Sequence, residues 1–163
     1  MTFNSECNEI SANQPGIKDA VTVTGQVLFQ EILEDGTLGE AQRHNTVVTT
    51  GKNWIASRCA GGSSNATHAA IGNTATAVTV ADTALGNELA RVTVDVAGGT
   101  VSNNTITFTA TFPAGTGTGV VSEAGLFNAA SGGTMIARVA DGSVIMNKKA
   151  TSAMKITWVL TIN

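Results

Sequence analysis

Alternating apolar and polar residues predict β-strands along much of the chain. The clearest segment, residues 105–112, places four apolar side chains on one face and four threonines on the other. The same period of two recurs at residues 91–96 and 155–162. This period is typical of a strand that buries one face in an antiparallel sheet. Gly-rich segments that predict turns lie at 97–100, 114–117 and 131–134.

A hairpin is predicted in the first third of the chain. Apolar residues between Val21 and Phe29 indicate a long strand, which ends at the turn Glu34-Asp35-Gly36-Thr37. Asp-Gly between two apolar runs is a strong hairpin signal, because glycine tolerates the positive φ of such turns. Residues 38–48 are the expected partner strand.

One helix is predicted directly after this hairpin. Thr49 or Thr50 is expected to cap it, Trp54 lies at helical spacing on its apolar side, and Gly61-Gly62 is expected to end it. A second short helix or turn is expected to begin at Asp82.

Composition supports a single all-β domain. Only 13% of the 163 residues are charged and aromatic residues make up 4%, against a usual charged fraction of about 25%. Threonine and valine, which favour strands, are abundant. We therefore expect an antiparallel β-sandwich, a jelly roll of about eight strands with one or two short helices, over residues 20–163.

The N-terminal residues 1–19 are interpreted as an extended arm. They are polar and show no period, and their isolated apolar residues Phe3, Ile10 and Ile17 are the expected contacts with a partner. Residues 1–40 carry seven acids and one lysine, a net charge of −6, whereas the rest of the chain has a net charge of +3. A like-signed segment at one end is usually a solvated surface, and it can also form a complementary patch for a partner or for a copy of the same chain.

Neither catalysis nor metal binding is predicted. His44 and His68 are the only histidines, and no Gly-x-Ser-x-Gly motif accompanies them. Cys7 and Cys59 are too far apart in the sequence for zinc-ligand spacing and are expected to be free thiols, although they could pair. No catalytic, cofactor-binding or metal-binding residue is therefore assigned.

Nucleic acid and membrane are not expected as partners. Lys148-Lys149 is the only basic pair and no aromatic residues interleave with it. The longest uncharged stretch, residues 96–122, is rich in Thr, Asn and Gly, which does not suit a transmembrane helix. No signal peptide is recognised at residues 1–6.

Three segments together resemble a known group of proteins. They are Ala69-Ala70-Ile71-Gly72 followed by residues 82–91 (DTALGNELAR), then residues 121–128 (VSEAGLFN), then Ile156-Thr157-Trp158-Val159-Leu160. Their order is similar to that in small β-sandwich structural proteins of tailed bacteriophages, over about residues 45–163. The resemblance implies jelly-roll trimers without enzymatic activity, used as capsid cement (decoration) proteins or as parts of tail fibres and tailspike bases.

These observations together lead to one functional expectation and two alternatives. We expect a homotrimeric cement protein that is made in the cytoplasm of a host bacterium and binds the major capsid protein on the capsid exterior. A chain of this size that starts at Met1 suits a decoration subunit, whereas fibres usually need a long shaft. The alternatives are a tail-fibre, tailspike-base or baseplate module, and a lectin-like carbohydrate-binding sandwich.

Overall fold

The structure of the chain is a computed structural model that describes residues 21–62 and 64–163. The predicted arm, residues 1–19, lies outside these residues, together with Cys7 and the expected contact residues Phe3, Ile10 and Ile17. The described part contains twelve strands and one helix. In chain order they are β1 (Val23–Ile32), β2 (Leu38–His44), β3 (Thr46–Val47), α1 (Thr49–Cys59), β4 (His68–Gly72), β5 (Glu88–Thr93), β6 (Thr100–Ser102), β7 (Thr105–Phe112), β8 (Gly119–Val121), β9 (Glu123–Phe127), β10 (Met135–Val139), β11 (Met146–Lys148) and β12 (Ala153–Ile162).

Two five-stranded antiparallel sheets form a β-sandwich, which confirms the predicted fold class. The first sheet has the order β2-β1-β12-β7-β6 and the second has the order β3-β10-β9-β4-β5. A third, small sheet pairs β11 with β8. Eight strands have five or more residues, and four shorter ones bring the total to twelve.

The first sheet follows from the period of two in its strands. Phe108 and Phe112 of β7 and Trp158 of β12 are buried between the sheets, and the intervening threonines point outward. Phe29 of the neighbouring β1 is buried in the same core. Burying each large side chain of this kind stabilises the fold by about 1.5–3 kcal/mol.

The second sheet is covered on both faces. All residues of β9 and β10 are buried, as are four of the five residues of β4. One face meets the first sheet, while Phe127, Met135 and Val48 form a smaller apolar cluster on the other side with Leu85. Strands buried on both faces lose the alternation that identifies a half-exposed strand. The alternation of apolar and polar residues therefore does not predict β4, β9 and β10.

The predicted hairpin forms, but its second strand is shorter than expected. Ile32 pairs with Leu38 next to the turn, and the ladder continues only to His44 opposite Gln26. Thr46 and Val47 then pair with β10 of the second sheet. The single strand expected over residues 38–48 is therefore divided between the two sheets, because the chain crosses from one to the other at Asn45.

The helix lies where the sequence predicts it, but its N-cap differs. Val48 occupies the N-cap position and makes no side-chain capping hydrogen bond. The Thr50 hydroxyl instead donates to the Met135 carbonyl oxygen at 2.7 Å. Neither expected threonine therefore caps the helix.

The end of the helix matches the prediction. Gly61 has a φ of +76°, and the Gly62 N–H donates to the Ser57 carbonyl oxygen at 2.8 Å. This is the glycine-dependent termination that the sequence indicates. The segment that begins at Asp82 forms bends and irregular backbone up to β5, and the turn lies just before it at residues 80–81.

Candidate functional site

The outer face of the first sheet is a continuous array of twenty outward-pointing side chains, which we call the threonine face. The strand registers align these side chains in rows across all five strands. Eight of the twenty are threonines, and only Glu40 and Lys155 carry a full charge. From β2 to β6 the twenty residues are Leu38, Glu40, Gln42, His44, Thr24, Gln26, Leu28, Gln30, Ile32, Ala153, Lys155, Thr157, Val159, Thr161, Thr105, Thr107, Thr109, Thr111, Thr100 and Ser102.

Side-chain hydrogen bonds organise the β1–β2 part of this face. The Gln42 amide donates to Gln26 Oε1 at 3.0 Å, and the Gln30 amide donates to Glu40 Oε1 at 2.7 Å. These amides lie above paired backbone positions of the two strands. The face therefore presents an ordered polar surface, with donors and acceptors that a covering protein can also use.

One corner of the threonine face is apolar. Ile32 and Leu38 are directly opposite each other next to the hairpin turn, and they are 39% and 54% exposed. Isolated exposed apolar residues are common on protein surfaces. This pair adds an apolar area to the almost uncharged threonine face, which another protein can cover at low desolvation cost.

The two histidines lie apart in the sandwich. His44 is at the end of the edge strand β2, beside a shallow cleft of about 380 Å³ that Gln26 and Val159 also line. His68 is in β4 of the second sheet, next to the Thr67 hydroxyl at 2.8 Å from its Nδ1. Burial and the Arg91 charge hold the pKa of His68 below its usual value.

A buried ion-pair cluster is the strongest concentration of charge in the described residues. Arg138 Nη2 lies 2.7 Å from Glu123 Oε2, and Arg138 Nη1 lies 2.7 Å from Asp82 Oδ2. Glu123 is fully buried and Arg138 is 3% exposed. Perturbed carboxylates in such surroundings are candidates for catalysis, so the contacts of Glu123 decide what this cluster does.

The Glu123 carboxylate is occupied by the protein itself. It accepts hydrogen bonds from the backbone N–H groups of Gly86 at 3.0 Å and Asn87 at 2.9 Å, besides the Arg138 guanidinium. Burial alone raises the pKa of Glu123, but these donors outweigh burial and hold the pKa below its ordinary value of 4.5. The cluster therefore fastens the loop of residues 73–87 onto the second sheet.

Arg91 fastens a second loop. Its guanidinium lies 3.8 Å from the centroid of the Phe127 ring and 2.6 Å from Glu88 Oε2. It also donates to the carbonyl oxygens of Ala129 and Gly132, at 2.9 and 3.0 Å. Arg91 therefore holds the β9–β10 connection in place, with a cation–π contact that contributes about 0.5–2 kcal/mol.

Two of the three segments that resemble phage structural proteins contribute residues to the contacts of Glu123 and Arg91. Glu123 comes from the segment 121–128, and Gly86, Asn87 and Arg91 come from the segment 82–91. Arg138 lies outside all three segments, and sequence reasoning missed it as the partner of Glu123. One signal was available, because Glu123 is a lone acid within the otherwise uncharged residues from Val120 to Phe127. An acid in such a run needs a buried partner.

Lys148 is another buried charged side chain that sequence reasoning missed. It is 1% exposed, and its Nζ donates to the carbonyl oxygens of Pro113 at 3.0 Å and Ser152 at 2.8 Å. Burial lowers the pKa of Lys148, although the Glu31 charge acts against this. Lys148 therefore ties the β11–β12 turn to the end of β7 rather than presenting a basic surface.

Two general features complete the description of residues 21–62 and 64–163. No group of three or more His, Cys, Asp or Glu side chains in these ranges is arranged to hold a metal ion. The same ranges contain no helix with the length and apolarity that a membrane span requires.

No protein family, curated protein or solved structure matches the chain.

Proposed function

We propose that this protein is a structural subunit of a bacteriophage particle, a homotrimeric cement protein that associates with its own copies through the threonine face. The observation that carries this proposal is the composition of that face, where two of twenty side chains carry a full charge. The cores of protein interfaces are depleted of charged residues, because covering an unpaired charge is expensive. A face of this composition is suited to burial.

The edges of the first sheet support the same proposal. β2 and β6 are its outermost strands, each paired on one side only within the described chain. An edge strand with free backbone groups invites pairing with other chains. Closed cyclic association covers such edges in a defined way and gives every copy the same surroundings. The number three comes from the resemblance to phage jelly-roll trimers.

The charged groups that the protein itself holds support a structural role. Glu123, Arg138, Arg91 and Lys148 are each held by other groups of the protein and each fastens a loop or turn. Loops fastened in this way keep a constant shape, which is what a subunit that must fit identical neighbours requires. Such a trimer stabilises the capsid by adding more than about 1,000 Å² of specific interface between neighbouring capsid subunits. This added interface resists the outward pressure of packaged DNA.

Localisation on particles tests the assignment to the virion. Particles of the phage that encodes this chain are purified, labelled with Fab fragments raised against the recombinant protein, and imaged by electron cryomicroscopy. We expect the label on the capsid exterior, at positions related by threefold symmetry. Label on the tail supports the tail-fibre or baseplate alternative instead, and unlabelled particles contradict a virion role.

A charge in the middle of the threonine face is expected to prevent self-association. Thr157 lies on β12, between Leu28 and Thr109 of the neighbouring strands. Thr157→Arg would bury an unpaired cation, so we expect the dissociation constant of the trimer to rise at least about 100-fold, or about 2.7 kcal/mol. Sedimentation velocity over a concentration series measures this change.

Thr118→Arg is the matched control, because Thr118 is exposed in the loop between β7 and β8 and lies off the threonine face. This variant is expected to associate like the unmodified protein. Equal association of both variants and the unmodified protein would place the interface elsewhere.

A further inference from the structure

A groove opens beside Val21, at the point where the described chain begins. It lies between the start of β1 and helix α1 and has a volume of about 410 Å³. Val21, Val23, Ile55 and Ala56 supply apolar walls, and Lys52 supplies a cation. Val21 is 77% exposed, so the described residues leave much of this apolar surface uncovered.

The chain leaves this groove along the strand direction. Thr22 and Asn163 exchange two backbone hydrogen bonds of 2.8 and 2.7 Å, which extend the β1–β12 ladder beyond Val23. This ladder fixes the course of the backbone up to Thr22. Residues 17–20 (IKDA) contain neither glycine nor proline, so the nearest residues that favour a tight reversal are Pro15-Gly16. A return of the same chain into the groove would need such a reversal.

The twenty residues that precede Val21 match the groove in chemistry. They contain the scattered apolar residues Phe3, Ile10 and Ile17, and their three acids and one lysine give a net charge of −2. Apolar side chains suit the valine and isoleucine walls of the groove, and the acids suit Lys52. The segment therefore complements the groove in both apolar character and charge.

We propose that the groove binds the N-terminal segment, residues 1–20, of a second copy of this chain, an inference that rests on the proposed self-association. The length of the N-terminal segment supports a second copy as the source of the bound segment. The 143 residues after residue 20 correspond to a domain about 37 Å across. The 14 residue-to-residue steps from Cys7 to Val21 span up to about 46 Å when the chain is extended. The segment can therefore reach the equivalent groove of an adjacent copy.

Cys59 makes this arrangement measurable. It is an exposed free thiol on the wall of the groove, and Cys7 belongs to the segment proposed to lie there. An added oxidant such as diamide takes up two protons and two electrons from a pair of thiols and leaves a disulfide between them. This bond forms rapidly only if the two sulfur atoms approach each other.

Two complementary variants test the proposal. Full-length Cys7→Ser and Cys59→Ser chains, one of them tagged, are co-expressed, purified as a mixed assembly and treated with diamide. Each chain then holds one cysteine, so Cys7 can join Cys59 only between copies. We expect a covalent pair of one tagged and one untagged chain on a non-reducing gel. A mixture that stays unlinked, while the unmodified protein closes Cys7–Cys59 within one chain, overturns the proposal.

A matched pair of helix variants tests the groove itself. Ala56→Glu places an acid on the groove wall, and Asn53→Glu places the same charge on another part of helix α1 that faces a different cleft. In the mixed assembly, we expect Ala56→Glu to slow cross-linking at least tenfold and Asn53→Glu to leave the rate unchanged. Equal rates for the two variants contradict binding in this groove.

Sedimentation of the same samples separates the two proposals. A trimer without cross-links contradicts only the binding of the N-terminal segment. A monomer at every concentration contradicts the proposed self-association, and the inference about the groove fails with it.

Discussion

Glu123→Gln is expected to lower the free energy of unfolding by about 3 kcal/mol, because it removes the fully buried one of the two carboxylates that pair with the Arg138 cation and leaves only the partly exposed Asp82. Glu123 is 0% exposed and Arg138 is 3% exposed, so water cannot replace the missing carboxylate. The variant also weakens the acceptor for the backbone N–H groups of Gly86 and Asn87. Urea denaturation followed by tryptophan fluorescence measures the loss.

The surface variant Glu34→Gln is the matched control. Glu34 is exposed in the β1–β2 turn, so the same chemical change is expected to alter stability by no more than about 0.5 kcal/mol. Adding Arg138→Met to Glu123→Gln should cost less than the sum of the two single changes, because the Glu123–Arg138 pair is already broken in either single variant. A loss below about 1 kcal/mol for Glu123→Gln alone would contradict the fastening role of the cluster.

The same cluster predicts acid sensitivity. The folded-state pKa values of Glu123 and Asp82 lie below their ordinary values of 4.5 and 3.8. For each group, burial acts to raise the pKa, and hydrogen bonds together with Arg138 lower it further than burial raises it. A lowered folded-state pKa contributes stability that is complete above the ordinary value and is lost as pH falls through the folded value. The unmodified protein should therefore lose stability below about pH 4.5 more steeply than Glu123→Gln.

Gly51→Ala is expected to be the second strongly destabilising change. A Cβ atom at Gly51 would lie 1.9 Å from the Ile136 carbonyl oxygen and 2.6 Å from its carbonyl carbon. Both are backbone atoms of the buried strand β10, so neither can move aside cheaply. Alanine gains about 1 kcal/mol over glycine in helix propensity, but the collision forces α1 away from the sheet. We expect a net loss of about 2–3 kcal/mol.

Gly39→Ala provides the comparison for this substitution. The nearest atom to a Cβ at Gly39 would be Glu31 Cβ at 3.7 Å, an ordinary contact. That variant should have nearly the stability of the unmodified protein. If Gly51→Ala were as stable as Gly39→Ala, helix α1 would not pack against β10 as closely as described.

The parts of the fold that the sequence predicts best are those with one buried face. β7 spans the predicted residues 105–112, and β12 extends the predicted 155–162 by two residues at its start. β9 (EAGLF) and β10 (MIARV) are buried on both faces, and their residues show no period of two. Two-sided burial depends on what covers the second sheet, namely α1 and the loop before β5, and no local pattern reports it.

The candidate site was only partly predictable for a similar reason. The alternation in β7 and β12 places threonines outward, but the rows of the threonine face depend on strand registers that only the assembled sheet fixes. Glu123 and Arg138 meet because β9 and β10 are neighbours in the sheet. The groove at Val21 likewise joins a strand and a helix whose proximity no motif encodes. The contacts expected for Phe3, Ile10 and Ile17 stay a prediction.

The native mass of the unmodified protein tests the central claim most directly. Self-association through the threonine face predicts a single species of three chains by native mass spectrometry at micromolar concentration, with three times the 16.5 kDa mass of one chain. Thr157→Arg should shift that species to single chains. An unmodified protein that stays at 16.5 kDa up to about 100 μM would contradict self-association through the threonine face.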